Sequence, residues 1–208
     1  MSIILLHMPY AAVERPSIGL GTLQACLQRE GLESEVIYGN LLYAQRIGLK
    51  RYKLVELTPT DVFLGEWTFS SAAFPDFHSD TDRYFQELEL DVIEAILCER
   101  EKLRPVFQEM RDDTPAFIDE MVELVLSKNP RIVGAGSTFQ QHCASLAVLR
   151  RVKELAPEVV TMMGGANCDG VMGSATFAAF PWLDYVVCGE ADDIIVKVVS
   201  KALGRGAD

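Results

Sequence analysis

The sequence predicts an open α/β fold, a single parallel sheet of five strands with helices on both faces. Three observations carry this. Short apolar runs recur at residues 3–6, 35–38, 131–136, 159–163 and 184–188. Between most of them, apolar residues return at helical spacing. The last three runs end on glycine, at Gly134 and Gly136, at Gly164-Gly165 and at Gly189. Continuous rather than alternating apolarity marks strands buried on both faces, as in parallel sheets.

In chain order, residues 3–6 form the first strand. Ser17 reads as the N-cap of a helix carrying Leu20, Leu23 and Leu27, and Gly31 stops it. Residues 35–38 complete a βαβ unit with a right-handed crossover. Residues 41–115 interrupt the alternation as a helical insertion. Within it, 40–57 reads as one helix and 64–74 resists assignment. Phe85, Leu88, Val92 and Ile96 stripe an amphipathic helix over 81–103. Asp113-Thr114-Pro115 reads as a cap with proline at the first helical position, and Ile118, Met121, Val122 and Val125 form that helix's apolar face. It leads into the central strand, Arg131-Ile-Val-Gly-Ala-Gly136. Helices near 142–156, 170–179 and 191–203 then alternate with the fourth and fifth strands. The expected strand order is 2-1-3-4-5, the flavodoxin-like, Rossmann-like arrangement, with all 208 residues in one domain.

Bulk properties narrow the function classes. A net charge of −11 and a pI near 4.8 oppose a nucleic-acid partner, since phosphate contacts need clustered Lys and Arg. No apolar run approaches the roughly 20 residues of a membrane span. The five cysteines are scattered without zinc-like spacing, which suits reduced thiols and a cytoplasmic setting.

Open parallel sheets bind ligands beyond the carboxyl ends of their strands. The candidate binding residues are therefore Pro9, Tyr10, Arg15, Ser17 and Gly19 after the first strand, and Ser137, Thr138, Phe139, Gln140 and Gln141 after the third. Gly164, Gly165, Ala166, Asn167 and Cys168 follow the fourth strand, and Gly189 and Glu190 the fifth. Small residues there let a flat or phosphate-bearing ligand approach the backbone; the alternative is that glycine-ended strands serve only tight strand-to-helix turns. His7 reads as a hydrogen-bonded core residue, His142 as a solvent-facing helix start, and the five thiols as mostly buried. Trp67 reads as core with Glu66 exposed, the alternative being a lid over a ligand.

Pro16-Ser-Ile-Gly-Leu-Gly21, Val133-Gly-Ala-Gly-Ser-Thr-Phe-Gln-Gln141, Met163-Gly-Gly-Ala-Asn-Cys168 and Val187-Cys-Gly-Glu190 recur in an order that carries a resemblance. Leu64-Gly-Glu-Trp67 and Thr114-Pro-Ala-Phe117 fit it too. The chain resembles the N-terminal cobalamin-binding domain of cobalamin-dependent radical S-adenosylmethionine enzymes, and within them the group that matures ribosomally made peptides. The resemblance implies a base-off cobalamin whose nucleotide tail enters between the first and third strands. Ser137 and Thr138 would line the tail pocket, Gly164 and Gly165 would lie against the tail, and Gly189-Glu190 would match the pair at the last strand. It also implies a methyltransferase-type enzyme, a precursor-peptide substrate and a radical domain as partner. The chain departs from related patterns twice. The loop after the first strand lacks the Asp-x-His-x-x-Gly of classical cobalamin methyltransferase domains, so no histidine ligand to cobalt is expected, and Tyr10, Arg15 or Phe139 would cover that face. No C-x-x-x-C-x-x-C is present, so S-adenosylmethionine and a 4Fe-4S cluster would belong to a domain absent from this chain. A flavodoxin-like flavin- or nucleotide-binding module is the alternative. A phosphate-receiving signalling domain is disfavoured because Ser137 stands where its aspartate would be.

Overall fold

The computed structural model describes residues 2–88 and 102–204. Five parallel strands, β1 (Ser2–Leu6), β2 (Ser34–Ile37), β3 (Pro130–Gly136), β4 (Val160–Gly164) and β5 (Tyr185–Val187), form one sheet in the order β2-β1-β3-β4-β5. This is the expected flavodoxin-like order, and its switch point lies between β1 and β3.

Alternate strand residues serve two separate cores, because successive side chains point to opposite faces. Ile4, Leu6, Met8, Val133 and Ala135 meet the larger core, while Ile3, Leu5, Ile132 and Met162 meet the smaller one. Two helices cover the smaller core, α1 (Ile18–Arg29) through Leu20 and Leu27, and a C-terminal helix, α9 (Ile195–Ala202), through Ile195 and Val199. The Ser17 hydroxyl accepts from Leu20 N at 3.2 Å, so the expected N-cap is in place.

The larger core is thickly covered by the insertion. Among the described residues its helices are α2 (Gly39–Ile47), α3 (Leu49–Glu56), α4 (Leu64–Ala73), α5 (Thr81–Glu87) and α6 (Leu103–Leu126). They are followed after β3 by α7 (His142–Leu155) and after β4 by α8 (Gly170–Ala179). The expected single helix over 40–57 is broken at Gly48, whose φ of +86° lies in the left-handed region. The unassigned stretch 64–74 is α4, buried through Leu64, Trp67, Phe69, Ala72 and Ala73. Tyr10, Tyr43, Phe69 and Phe117 pack edge-on or tilted with centroids 4.6–6.2 Å apart. The Tyr43 hydroxyl donates to Met110 O at 3.0 Å.

One helix boundary corrects the sequence reading. Pro115 does not begin a helix; it lies inside the 24-residue α6. A proline there removes the amide that would bond Arg111 O. The Thr114 hydroxyl donates to that carbonyl at 2.8 Å instead, so the helix continues through the proline. The expected boundary of the insertion at 115 therefore falls within α6. Of the stripe over 81–103, Phe85 and Leu88 are core residues, and Val92 and Ile96 lie outside the described residues. The last helix starts at Ile195, after a turn over 191–194, instead of at 191.

Candidate ligand cleft

The uneven covering of the sheet leaves a cleft on its thinner face. It measures about 450 Å³, lies between α1 and α9, and opens at the carboxyl ends of the strands. Volumes of this order are typical of small-molecule sites.

The strand register explains why the floor is open. Leu5 pairs with Gly134, and Gly134 with Met162, forming one rung across the sheet. On the next cleft-facing rung Gly136 pairs with Gly164, and Gly164 with Val187. The two central strands thus carry no side chain where the cleft meets the crest. Gly19 and Thr22 of α1 keep the opposing helix wall low, and Ile18 stands exposed at the rim.

Nine of the expected residues line this cleft: Ser17, Gly19, Ser137, Thr138, Gln141, Gly164, Gly165, Gly189 and Glu190. Gly165 is required by its place. Its φ is +107°, and a Cβ there would lie 2.6 Å from Ser137 O. The polar residues are mutually held. Ser137, fully buried, has its Oγ 2.8 Å from His142 Nδ1, and Asn167 Nδ2 donates to that Oγ at 3.2 Å. Gln141 accepts from Thr138 N at 3.2 Å and from the Thr138 hydroxyl, and its amide donates to Met8 O at 2.7 Å.

Eight expected residues lie elsewhere. Tyr10 is 4% exposed and packed among Tyr43, Tyr52 and Phe69, with burial holding its hydroxyl protonated well above the ordinary tyrosine range. It cannot cover a ligand face. Gln140 is also buried away from the cleft, its Oε1 accepting from Gly65 N at 2.6 Å and its amide donating to Val55 O at 3.3 Å. The insertion sits directly on both residues: a Cβ on Gly65 would fall 2.7 Å from Gln140 Cβ and 2.8 Å from a Tyr10 ring carbon. Pro9 is buried, and Arg15 and Phe139 project into solvent off the cleft wall. Ala166, Asn167 and Cys168 form a 3-10 turn behind the cleft, and only Asn167 reaches it, through Ser137. The Cys168 thiol is buried, and desolvation first raises its pKa to about 11, so it is un-ionised at neutral pH.

Three other expectations change. His7 is not a hydrogen-bonded core residue. It is half-buried on the cleft wall, edge-on to Tyr38 at 5.7 Å, and burial lowers its pKa. It continues the cleft-facing side of β1 above Ile3 and Leu5, and that alternation was the available sequence signal. His142 does begin a helix, yet it is turned inward to Ser137. Glu66 is neither a free carboxylate nor a lid. It accepts from His142 N at 2.9 Å and Cys143 N at 2.6 Å, capping α7 from the insertion. Trp67 is core as expected, stacked on Tyr84 with the Arg111 guanidinium 4.6 Å from its ring. Cys143 is buried, and desolvation pushes its thiol pKa up.

Among the described residues no group of three or more His, Cys, Asp or Glu side chains is arranged to hold a metal ion, and no helix is long and apolar enough to cross a membrane. No known protein family, curated protein or solved structure matches the chain.

Proposed function

We propose that the chain is a cobalamin-binding domain that takes the nucleotide tail of a base-off corrinoid into the cleft between α1 and α9. The observation that carries this reading is the depth and bareness of the floor. A flavin bound at the crest of such a sheet needs a phosphate-cradling loop after β1 and no deep slot beneath it. Here the loop after β1 is filled by buried Pro9 and Tyr10. The slot runs down the sheet face past Gly136 and Gly164 to Gly134, Leu5 and Met162. A long ligand that inserts one flat arm suits that shape.

The residues present fit the group. Glycines at 136, 164 and 165 allow close approach, Leu5, Met162 and Ile195 give apolar walls, and Ser137 and Thr138 place hydroxyls at the crest. The loop over 9–16 would offer cobalt no histidine, and His142 is engaged with Ser137. When bound, a cobalamin supplies methyl transfer or one-electron chemistry at cobalt, and the protein's part is to hold and orient it. In this reading the chain works beside a radical S-adenosylmethionine domain bearing the 4Fe-4S cluster, on a precursor peptide, as part of a methyltransferase-type maturase.

The test is retention on a desalting column after mixing with hydroxocobalamin or with flavin mononucleotide. The proposal expects retained corrinoid with a base-off spectrum and no retained flavin. Gly19→Phe supplies the control, because a Cβ at Gly19 meets nothing within 4 Å and the ring can fill the cleft mouth without disturbing the core. Retention of flavin, or corrinoid retention unaffected by Gly19→Phe, would overturn the proposal.

A further inference from the structure

Among the described residues Ser137 is the one fully buried hydroxyl on the cleft wall, and it is held from outside the cleft. A hydroxyl has one proton to donate and two lone pairs. Asn167 Nδ2 occupies one lone pair, at 3.2 Å. The 2.8 Å contact with His142 Nδ1 takes one of the two remaining sites, and the state of the imidazole decides which. With Nδ1 bare, Ser137 donates to it and keeps a lone pair for the cleft. With a proton on Nδ1, Ser137 accepts a second bond, and its own proton is left for the cleft.

The imidazole has little freedom to leave this arrangement. The Glu66 carboxylate fixes the start of α7 through His142 N and Cys143 N, at 2.9 and 2.6 Å, and Phe180 at the end of α8 lies 6.3 Å from the ring. The charged groups at this end of α7 are Glu66 from α4 and Arg111 from α6, whose field reaches Cys143. The Cys143 thiol is un-ionised, α8 presents the uncharged Phe180, and the turn after β4 presents the uncharged Asn167.

We infer that His142 is a positioning residue of the cleft: through Ser137 it sets whether a ligand meets a hydrogen-bond acceptor or a donor at the carboxyl end of β3, and its protonation makes Ser137 a donor to an acceptor atom such as a ring nitrogen or a carbonyl. The inference rests on the cleft being the ligand site, and not on the ligand being a corrinoid. Burial lowers the His142 pKa and the Glu66 charge opposes this only partly. The imidazole is therefore neutral at pH 7.5; in the inferred arrangement its one proton sits on Nε2, and acidification adds the second on Nδ1.

The experiment measures hydroxocobalamin affinity at pH 7.5 and 5.5 for the wild type, Ser137→Ala, His142→Phe, His142→Asn and the Ser137→Ala/His142→Phe double variant. Wild-type affinity is expected to rise on acidification. His142→Phe should weaken binding about five- to tenfold, the worth of one hydrogen bond, and abolish the pH response. His142→Asn places an amide where Nδ1 lies but does not titrate, so it should restore affinity without the pH response. In the Ser137→Ala background His142→Phe should change nothing further. A His142→Phe effect that persists without Ser137, or a pH response that survives in His142→Asn, would overturn the inference. Should hydroxocobalamin not bind, the proposed function fails on its own. Imidazole ¹⁵N shifts of the free protein then decide: Ser137→Ala must alter the His142 Nδ1 resonance, and an unaltered resonance refutes the positioning role.

Discussion

Replacing Gly136 with valine should stabilise the fold and remove ligand binding at once. Gly136 is the last residue of β3, and an added Cβ would lie 3.9 Å from Leu20 Cδ2 and 3.9 Å from Leu6 O, ordinary contact distances. Its φ is not in the left-handed region, so a side chain costs no backbone strain. Glycine within a strand is unfavourable by roughly 0.5–1 kcal/mol, and β-branched residues suit strands. Gly136→Val should therefore gain up to about 1 kcal/mol. For a protein of this size that raises Tm by about 2–4 °C. If each added carbon takes about the 30 Å³ share of a water molecule, valine fills about 90 Å³, a fifth of the roughly 450 Å³ cleft. That volume sits where Gly136 and Gly164 leave the floor bare. Thermal unfolding and hydroxocobalamin retention on the same preparation read both effects. An unchanged affinity would refute the reasoning, since a ligand that ignores this position does not lie along the central strands. The neighbouring Gly165 is a poorer probe, because its positive φ and the 2.6 Å approach to Ser137 O make any side chain there a backbone perturbation.

Other consequences follow from hydrogen bonds elsewhere around the sheet. Glu66→Ala should destabilise the protein by about 1–2 kcal/mol in urea unfolding, since two amides at the start of α7 lose their carboxylate partner; an unchanged midpoint would mean that water replaces the cap at no cost. Asp184 accepts from Thr161 N at 2.8 Å and Lys153 Nζ at 2.7 Å. Burial works against its charge, but these bonds together hold its pKa below the ordinary value. A depressed carboxylate contributes stability above its unfolded pKa of about 3.9 and loses it as pH falls through the lower folded value. Asp184→Asn should thus cost stability at pH 7, and the gap to the wild type should close in acid; a constant gap from pH 7 to pH 3 would contradict the assignment. Tyr10→Phe should leave ligand retention intact, because the hydroxyl meets Thr68 in the core and not the cleft; a lost ligand would place Tyr10 in the site after all.

The sheet was legible in the sequence because buried parallel strands are continuous apolar runs, and three of them announce their ends with glycine. The same glycines located the cleft, which is why Gly164, Gly165, Gly189 and Ser137 were found. Other features depended on contacts between distant parts of the chain. Tyr10 and Gln140 look like crest residues from their positions, but the insertion, 55 to 75 residues away in sequence, closes over them through Gly65. Pro115 looks like a helix start because the sequence rule for proline knows nothing of a threonine hydroxyl standing in for the missing amide. His142 looks solvent-facing because a helix start usually is, but its ring bonds the Ser137 hydroxyl while the distant Glu66 carboxylate holds its backbone amide. His7 alone could have been read better: Ile3, Leu5 and His7 share one face of β1, and that is the cleft's face.

Methyl resonances of the methionines test the central claim most directly, because the two faces of the sheet carry different ones. Met162 lies on the cleft, whereas Met110 and Met121 lie in the core beneath the insertion. On addition of hydroxocobalamin the Met162 methyl should shift with saturation while Met110 and Met121 hold still. A bound corrinoid that moves Met110 and Met121 and leaves Met162 in place would put the ligand on the wrong side of the sheet and contradict the account.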